Sequence, residues 1–481
     1  MLKLFNTLTR KIELFKPIKR GKVGLYGCGP TVYDYAHLGN LRAYVFVDLL
    51  KRYLEYGGFK VKHVMNITDV DDKTIKGSQE NNKTLSQFTN FYAKEFIKDI
   101  KALNIKMPDI MPKATEHISE MVDLIKKLKK RGYAYTSDGS TYFKISKFSN
   151  YGKLAQLERQ ALKKGAGEQL NISDEYEKEE AADFVLWKAW RLEDGKVFWN
   201  TEIGKGRPGW HTECSAMSMK YLGNSFDIHT GGVDLIFPHH TNEIAQSEGA
   251  FGKKFVNYWL HNNHLLVEGE KMSKSLDNFY TLKDIHDRGY EPLLLRVILL
   301  KSHYRKILDF SFKNFKEAES VVGKLLDFLI SLDLVGDKAK NELNIESEIK
   351  KSRSKFKKAM DDDLNISLAL SAIFDFINKI NKIISSLNVK QAMEIKRYIF
   401  EIDSVLGFVD LFYKRYQKRL AKLMGDKIIR RLIKDRFEAR EKGAYKKADK
   451  IRRDLLNKGV VVNDIKNGYS VRLADIFPQI K

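Results

Sequence analysis

Lys22-Val23-Gly24-Leu25-Tyr26-Gly27-Cys28-Gly29-Pro30 opens the part of the chain that decides its fold. It predicts a short buried strand that ends in a Gly-Pro turn. From Leu41 to Leu54 apolar residues recur at helical spacing, and the run stops at Gly57-Gly58. A second strand is predicted from Lys60 to Ile67, ending in Asn66-Ile67-Thr68-Asp69-Val70-Asp71-Asp72-Lys73. The unit is strand–helix–strand with polar residues at the strand ends, where open α/β sheets bind their ligands. Asp69, Asp71 and Asp72 could together hold a metal, but caps and loop contacts are the simpler use of such carboxylates.

His37-Leu38-Gly39-Asn40 lies between the first strand and the helix, and Lys271-Met272-Ser273-Lys274-Ser275 lies far downstream. Alone, the second segment also suits a solvated basic turn. Paired in this order, the two resemble the signature motifs of class I aminoacyl-tRNA synthetases. The chemistry suits that resemblance. Forming an aminoacyl adenylate builds negative charge on the ATP phosphates, and Lys271 and Lys274 can neutralise it where it matters most, in the transition state. His37 and Asn40 at a helix N-terminus add donors beside free backbone N–H groups. Gly39 allows close approach of the nucleotide. His37, Asn40, Lys271 and Lys274 are the expected catalytic residues. Gly29, Thr31, His37, Gly39, Asn40 and Lys274 are expected to contact ATP.

Three later segments carry the substrate signal: Gly206-Arg207-Pro208-Gly209-Trp210-His211-Thr212-Glu213-Cys214, Asp227-Ile228-His229-Thr230-Gly231-Gly232-Val233-Asp234, and Phe237-Pro238-His239-His240-Thr241-Asn242-Glu243. Cys28, Cys214, His239 and Glu243 are candidate zinc ligands of types zinc accepts. His239 and Glu243 are four apart and share a face if helical. The spacing is not that of a zinc finger, and His211, His229 and His240 compete as ligands or pocket residues.

With the stretches Tyr26 to Asp34, Asn66 to Lys73, Gly206 to Met217, Phe237 to Gln246 and Lys271 to Ser275, the chain resembles the cysteinyl-tRNA synthetase family along nearly its whole length. The resemblance implies one zinc ion per subunit in the amino-acid pocket, on Cys28, Cys214, His239 and Glu243. It also implies that this ion takes the substrate thiolate, with Trp210 lining the pocket. Cys28, Trp210 and His229 are the expected substrate-side residues, and Mg2+ is expected with ATP. A soft-metal site explains selection of cysteine over serine. An apolar pocket separates such near-isosteres by only about 10–200-fold, whereas zinc prefers a thiolate to a neutral hydroxyl. No stretch demands an editing domain. Glu202-Ile203 stands where family members often carry Pro-Trp, which bears on local packing.

Between these segments the chain is irregular. Val122 to Lys129 predicts an amphipathic helix, and Ala134 to Ile145 a hairpin turning at Asp138-Gly139. Leu162 to Glu180 is charged and predicts a loop. Beyond Ser275 no proline occurs between Pro292 and Pro478, as long helices require. Helices are predicted over Asn314 to Leu332 and over Met393 to Leu406, and Ala359-Met360-Asp361-Asp362-Asp363-Leu364-Asn365 ends one helix and caps the next, which runs on to about Ser386. Residues 421–481 carry 17 Lys/Arg against 8 Asp/Glu. They predict a basic helix pair, a strand from Gly459 to Asp464, and a return strand after Asn467-Gly468. This tail resembles the family's anticodon-recognition domain, with Val471 where a tryptophan is frequent.

The expected fold is α/β: a Rossmann-type parallel-sheet catalytic domain split by an insertion, followed by a helical bundle and a small C-terminal α/β domain. The expected boundaries are 1–115 and 201–255 for the two catalytic halves and 116–200 for the connective insertion. A stem-contact region follows at 256–315, an anticodon-side bundle at 316–420 and the tRNA-binding tail at 421–481.

The net charge of +23 over 481 residues favours polyanion partners, nucleic acid before anionic membrane. No apolar run reaches the roughly 20 residues of a membrane span, and the N-terminus lacks a secretory signal. A cytoplasmic monomer with tRNA(Cys), ATP and L-cysteine as partners is the expectation. A ligase joining cysteine to a sugar amine would lack the basic tail. A zinc hydrolase leaves the paired signature motifs unexplained, and a non-catalytic RNA-binding relative would have lost His37, Lys271 and Lys274.

Overall fold

A computed structural model describes residues 1–157, 183–273, 278–336, 344–465, 468–475 and 477. The expected loop from Leu162 to Glu180, Lys274 and Ser275, and Asn467 lie outside the described residues. The chain divides into two compact units: Met1–Leu282 with Leu299–Phe310 and Lys358–Ile366, and Lys283–Ile298 with Ser311–Lys357 and Ser367–Lys481.

The first unit begins with the hairpin β1 (Lys3–Asn6) and β2 (Lys11–Leu14). Next come β3 (Lys22–Gly27), α1 (Leu38–Tyr56) and β4 (Lys60–Met65), the strand–helix–strand unit read from the sequence. Val23, Leu25 and Tyr26 are at most 1% exposed, so β3 is buried on both faces, as parallel sheets require. Helix α1 is buried around most of its circumference, and its buried charges find partners: Arg42 donates to the backbone carbonyls of His264 and Lys306, and Lys51 pairs with Asp109. Asp48 accepts from Arg52 Nε one turn on, at 2.7 Å. Helices α2 (Asp72–Glu80), α3 (Leu85–Ala102) and α4 (Ile118–Lys130) follow.

A five-stranded antiparallel sheet interrupts the α/β pattern. Its strands are β5 (Ala134–Ser137), β6 (Ser140–Phe143), β7 (Phe184–Ala189), β8 (Trp199–Thr201) and β9 (Gly204–Pro208), in the order β5-β6-β7-β9-β8. The sheet therefore runs on to Pro208. Ile203 packs against the unit's core, and Glu202 pairs with Lys126 at 2.5 Å. These two residues are accommodated without the proline and tryptophan frequent in the family.

The α/β pattern resumes with α5 (Trp210–Leu222), β10 (Phe226–Gly232), α6 (Thr241–Phe251) and β11 (Val256–Asn262). The main sheet has the order β11-β10-β3-β4 and is parallel throughout. From β3 the chain winds one way to β4, and the second half enters beside β3 and winds the other way. The crevice beyond the C-terminal ends of β3 and β10 is therefore the topological switch point, the ligand position of doubly wound sheets. A small sheet of β12 (Leu265–Val267), β13 (Glu270–Lys271) and β14 (Leu308–Phe310) completes the unit. Asp363 lies between two helices, as read from the sequence, and its carboxylate accepts from Phe5 N (2.8 Å), Tyr304 Oη (2.6 Å) and Arg305 Nε (2.6 Å).

The second unit is helical until its end. It carries α7 (Lys313–Asp333), α10 (Val389–Leu406) and α11 (Val409–Gly425), and the chain also forms α8 (Ile345–Asp361) and α9 (Ile366–Asn381). Two last helices, α12 (Lys427–Glu441) and α13 (Tyr445–Asn457), pack Ile429, Ile433, Ile451 and Leu455 on Val460 and Val462 of the hairpin β15 (Val460–Ile465) and β16 (Gly468–Leu473). Val471 packs against the same small core. Arg436, 2% exposed, pairs with Asp464 through two bonds of 2.9 Å. Lys427, Arg430, Arg431, Lys434, Lys446 and Lys447 remain exposed.

Candidate active site

Cys28 follows β3 at the switch point, and its backbone N–H donates to Thr230 O on β10 at 3.3 Å. Gly29 comes next, where the chain presses on Asn66 beyond β4. A Cβ on Gly29 would lie 1.6 Å from Asn66 O, so only glycine fits. The Gly29 N–H donates to Asn66 Oδ1 at 2.8 Å. Asn66 Nδ2 donates to Thr68 Oγ1 (3.1 Å), and Thr68 Oγ1 donates to Glu213 Oε2 (2.8 Å). Thr31 bridges Thr68 in the same floor. A chain of hydrogen bonds thus joins the ends of β3 and β4 to helix α5, which carries Trp210, His211 and Cys214.

The carboxylates of the Asp69–Asp72 cluster are used structurally. Asp69 accepts from Thr115 N (2.9 Å) and Oγ1 (2.7 Å), and Asp71 caps α2 through Thr74 N (2.7 Å). Asp72 pairs with Arg207 and with Lys188.

Four donors converge above this floor. Cys28, Cys214, His239 and Glu243 bring one ligand atom each into a group no wider than 4.8 Å. Cys28 Sγ lies 3.9 Å from Cys214 Sγ and 4.0 Å from Glu243 Oε1, which is 3.1 Å from His239 Nε2. Tetrahedral zinc with S, N and O ligands holds its donors about 3.3–3.8 Å apart, so the group fits such an ion with small adjustment. Cys28, His229, His240 and Glu243 form a second group of the same width. Two of the four donors, His239 and Glu243, are held from behind by further histidines. His211 Nδ1 meets His239 Nδ1 at 2.9 Å, and His229 Nε2 meets Glu243 Oε2 at 2.9 Å. Trp210 lies against His239, ring centroids 4.2 Å apart.

Burial and mutual contact shift the proton affinity of every one of the four donors. Burial pushes the Cys28 thiol up. The hydrogen bond from Cys28 outweighs burial at Cys214 and holds its thiol down at about 6. Burial raises the Glu243 carboxyl, yet His229 and His239 overcome it and hold it at about 2. Burial lowers His239, yet Cys214 and Glu243 raise it to about 10.

The other signature residues stand at the N-terminus of α1. His37 is its N-cap, with Nδ1 accepting from Gly39 N (3.1 Å) and Asn40 N (3.3 Å), while His37 N donates to Asn40 Oδ1 (3.2 Å). Two backbone donors on Nδ1 put the ring proton on Nε2, free to donate outward. Burial lowers the ring's pKa to about 4, so it is neutral at pH 7. The K-M-S-K-S segment reaches this helix end. Met272 Cε would lie 3.1 Å from a Cβ on Gly39, Leu38 N donates to Tyr280 O (2.9 Å), and the His37 ring meets Phe279 edge-on. Lys271 is exposed at the end of β13.

The sequence matches known proteins over nearly the whole chain. Residues 14–320 match the family model for the class I (C) tRNA synthetase catalytic domain, residues 355–410 a DALR domain, and residues 426–472 the cysteinyl-tRNA ligase anticodon-binding domain. The cysteine–tRNA ligase of Brachyspira hyodysenteriae is 49% identical over 466 residues, covering 96% of this chain and 98% of that protein. The chain belongs to the cysteine–tRNA ligase family. A cysteine–tRNA ligase from Thermococcus gammatolerans is 41% identical over 97% of this chain and 98% of its own. A solved methionyl-tRNA synthetase of Mycobacterium tuberculosis in complex with methionyl-adenylate superposes with a TM-score of 0.60 at 14% identity, covering 80% of this chain and 92% of its own. At that identity the likeness speaks for the fold.

In this cysteine–tRNA ligase family member, several site residues escape a sequence reading. Asn66, Thr68 and Glu213 build the pocket floor through contacts between distant segments. Asp234 bears electrostatically on both Cys28 and His37, placing a carboxylate near both groups. Asn278 accepts from Ser273 N (2.8 Å) and donates to Lys271 O (3.2 Å), gripping the signature loop at its base.

Proposed function

We propose that the chain activates L-cysteine with ATP to cysteinyl adenylate, releasing pyrophosphate, and transfers the cysteinyl group to the 3′-terminal adenosine of tRNA(Cys). The observation that carries this reading is the convergence of Cys28, Cys214, His239 and Glu243 at the sheet's switch point. It supplies a soft-metal pocket where a class I enzyme holds its amino acid.

Zn2+ would be held by those four residues, one ion per subunit, and it supplies a soft acceptor that favours the substrate's thiolate over serine's hydroxyl. Trp210 closes the side wall, and His229 acts through Glu243, which it holds from behind. Cys28 serves the substrate as a ligand of the ion. Asp234 offers a negative charge for the substrate's ammonium.

ATP is bound along Gly29, Thr31 and the start of α1. His37 donates Nε2–H to the phosphates as a neutral ring, and Asn40 donates Nδ2–H beside it. Gly39 keeps the backbone open. Lys271 and Lys274 neutralise charge that grows on the leaving pyrophosphate, with Mg2+ accompanying ATP. No side chain serves as a nucleophile. The cysteine carboxylate attacks the α-phosphorus and displaces pyrophosphate, and a ribose hydroxyl, by class the 2′, then attacks the adenylate carbonyl and displaces AMP as its own proton is lost.

The two catalytic halves (1–115 and 201–255), the insertion (116–200), the stem-contact region (256–315), the bundle (316–420) and the basic tail (421–481) divide the labour, the last two engaging the anticodon side. The exposed lysines and arginines of α12 and α13 contact phosphates, which positions RNA without reading its sequence. The working form is a cytoplasmic monomer. Among the described residues no helix is long and apolar enough to cross a membrane.

Charging of total tRNA with labelled cysteine, run against labelled serine, tests the reading. Cysteine on tRNA with little serine is expected. Cysteine-dependent ATP–pyrophosphate exchange without charging would instead favour transfer to a small amine, and no exchange at all would overturn the ligase.

A further inference from the structure

His240 stands next to a proposed zinc ligand and is itself fully buried. Its two ring nitrogens are both engaged. Nε2 lies 3.3 Å from Cys28 Sγ, and Nδ1 lies 2.7 Å from Nε2 of His261 on β11. His261 Nδ1 in turn lies 2.8 Å from Thr7 Oγ1, in the turn after β1. Thr7 and His261 are 3% and 4% exposed. The four groups come from four separate segments and form one buried line.

The direction of every bond in that line follows from its end. A cysteine that holds a metal does so as a thiolate, which accepts hydrogen bonds and donates none. His240 must then carry its proton on Nε2, leaving Nδ1 as an acceptor. His261 must carry its proton on Nε2 to supply that acceptor, leaving its own Nδ1 to accept from the Thr7 hydroxyl. One threonine O–H therefore sets the tautomer of two histidines and aims one N–H at the Cys28 sulfur. Partners of this kind fix the orientation of metal ligands and tune the metal.

We propose that Thr7, His261 and His240 form a hydrogen-bond relay that draws charge from the Cys28 sulfur and so strengthens the zinc's hold on the substrate's own sulfur. The three are positioning residues. The proposal rests on the metal reading above. A sulfur relieved of charge donates less to the ion, and a poorer donor set leaves the ion a better acceptor for an incoming thiolate. His240 thus acts on Cys28 from outside the ligand set, although Cys28, His229, His240 and Glu243 could also be grouped around an ion.

The test uses the full-length chain loaded with Co2+ in place of zinc, whose sulfur-to-cobalt charge-transfer band reports the charge on the sulfurs. Thr7→Val keeps the shape and removes the donor, and Thr7→Ser restores it. Thr7→Val is expected to bind one equivalent of Co2+ with the band moved to longer wavelength, and to raise the KM for cysteine several-fold with the KM for ATP unchanged. Thr7→Ser is expected to return both to the parent values. His240→Gln is expected to shift the band in the same direction, with the count of nitrogen ligands from X-ray absorption unchanged. A Thr7→Val band identical to the parent's overturns the relay alone. A nitrogen lost from the shell in His240→Gln also overturns it, making His240 a ligand. A parent chain that takes up no Co2+ or Zn2+ overturns the metal reading and the relay together.

Discussion

Arg207 donates from Nε to Asp194 Oδ1 at 2.9 Å, and both side chains are buried. The guanidinium's other edge meets Asp72 at the start of α2. Arg207 sits on β9, three residues before Trp210, so the pair anchors the strand that delivers the pocket wall. Removing one member of a buried pair costs about 3–5 kcal/mol, because the other charge stays buried. Arg207→Gln is expected to lose stability on that scale in denaturant titration and to raise the KM for cysteine. Asp194→Asn added to it is expected to cost little more, and full additivity would show that the two act separately.

Gly29→Ala places a methyl inside the van der Waals shell of Asn66 O. The ends of β3 and β4 must separate to admit it, which also pulls Asn66 from Cys214, now 3.6 Å away. Cysteine-dependent pyrophosphate exchange should fall by at least about 100-fold, equivalent to about 2.7 kcal/mol. Near-normal exchange would show that the floor yields freely.

Asn278 holds both sides of the signature loop's base. Asn278→Ala removes two hydrogen bonds worth about 1 kcal/mol each. Single-turnover adenylate formation should slow roughly tenfold or more, with tRNA affinity in filter binding unchanged. Equal losses in both would place Asn278 in general stability.

His63 is 2% exposed, and neither ring nitrogen has a hydrogen-bond partner among the described residues. Burial lowers its pKa to about 3. The unfolded chain binds a proton near pH 6.5 that the fold refuses until about pH 3. Stability is therefore full above pH 6.5 and falls as pH drops towards 3, by at most about 1.4 kcal/mol per pH unit from this group. His63→Leu should flatten that acid limb in urea melts between pH 7 and 4. His37, lowered to about 4, should add no step to the rate of activation between pH 6 and 8.

In the proposed zinc site Cys214→Ser exchanges a sulfur donor for a hydroxyl that keeps its proton. Metal content after dialysis should drop sharply. Discrimination against serine in the exchange assay should fall towards the about 10–200-fold that shape alone provides. Full discrimination without bound metal would remove the ion from the specificity argument.

The β3–α1–β4 unit was legible because buried parallel strands and crossover helices write their periods locally. The helix pair and hairpin at residues 427–473 were legible for the same reason. The donor set was legible only in part. Residue chemistry brought Cys28, Cys214, His239 and Glu243 forward, but His211, His229 and His240 stayed equal candidates until the family resemblance chose among them. The structure brings the four within 4.8 Å of one another, and it brings His229 and His240 as close to Cys28 and Glu243, which is why they competed. The Thr68–Glu213 and Arg207–Asp194 bonds and the grip of Asp363 on Phe5, Tyr304 and Arg305 left no trace in periodicity. They join segments far apart in sequence, and polar pairs of that kind carry no repeating signal.

The order of strands also times the protein's own synthesis. On the ribosome β3 and β4 emerge early and can pair at once, but the other edge of β3 waits for β10. Roughly 200 residues separate the two, about 10–40 s of translation at 5–20 residues per second. For that interval a strand built of valine, leucine and tyrosine presents an open edge, the kind of template that invites aggregation. The nascent first half thus carries that open edge until β10 emerges, and the four donors of the proposed zinc site are complete only after Glu243 has left the exit tunnel.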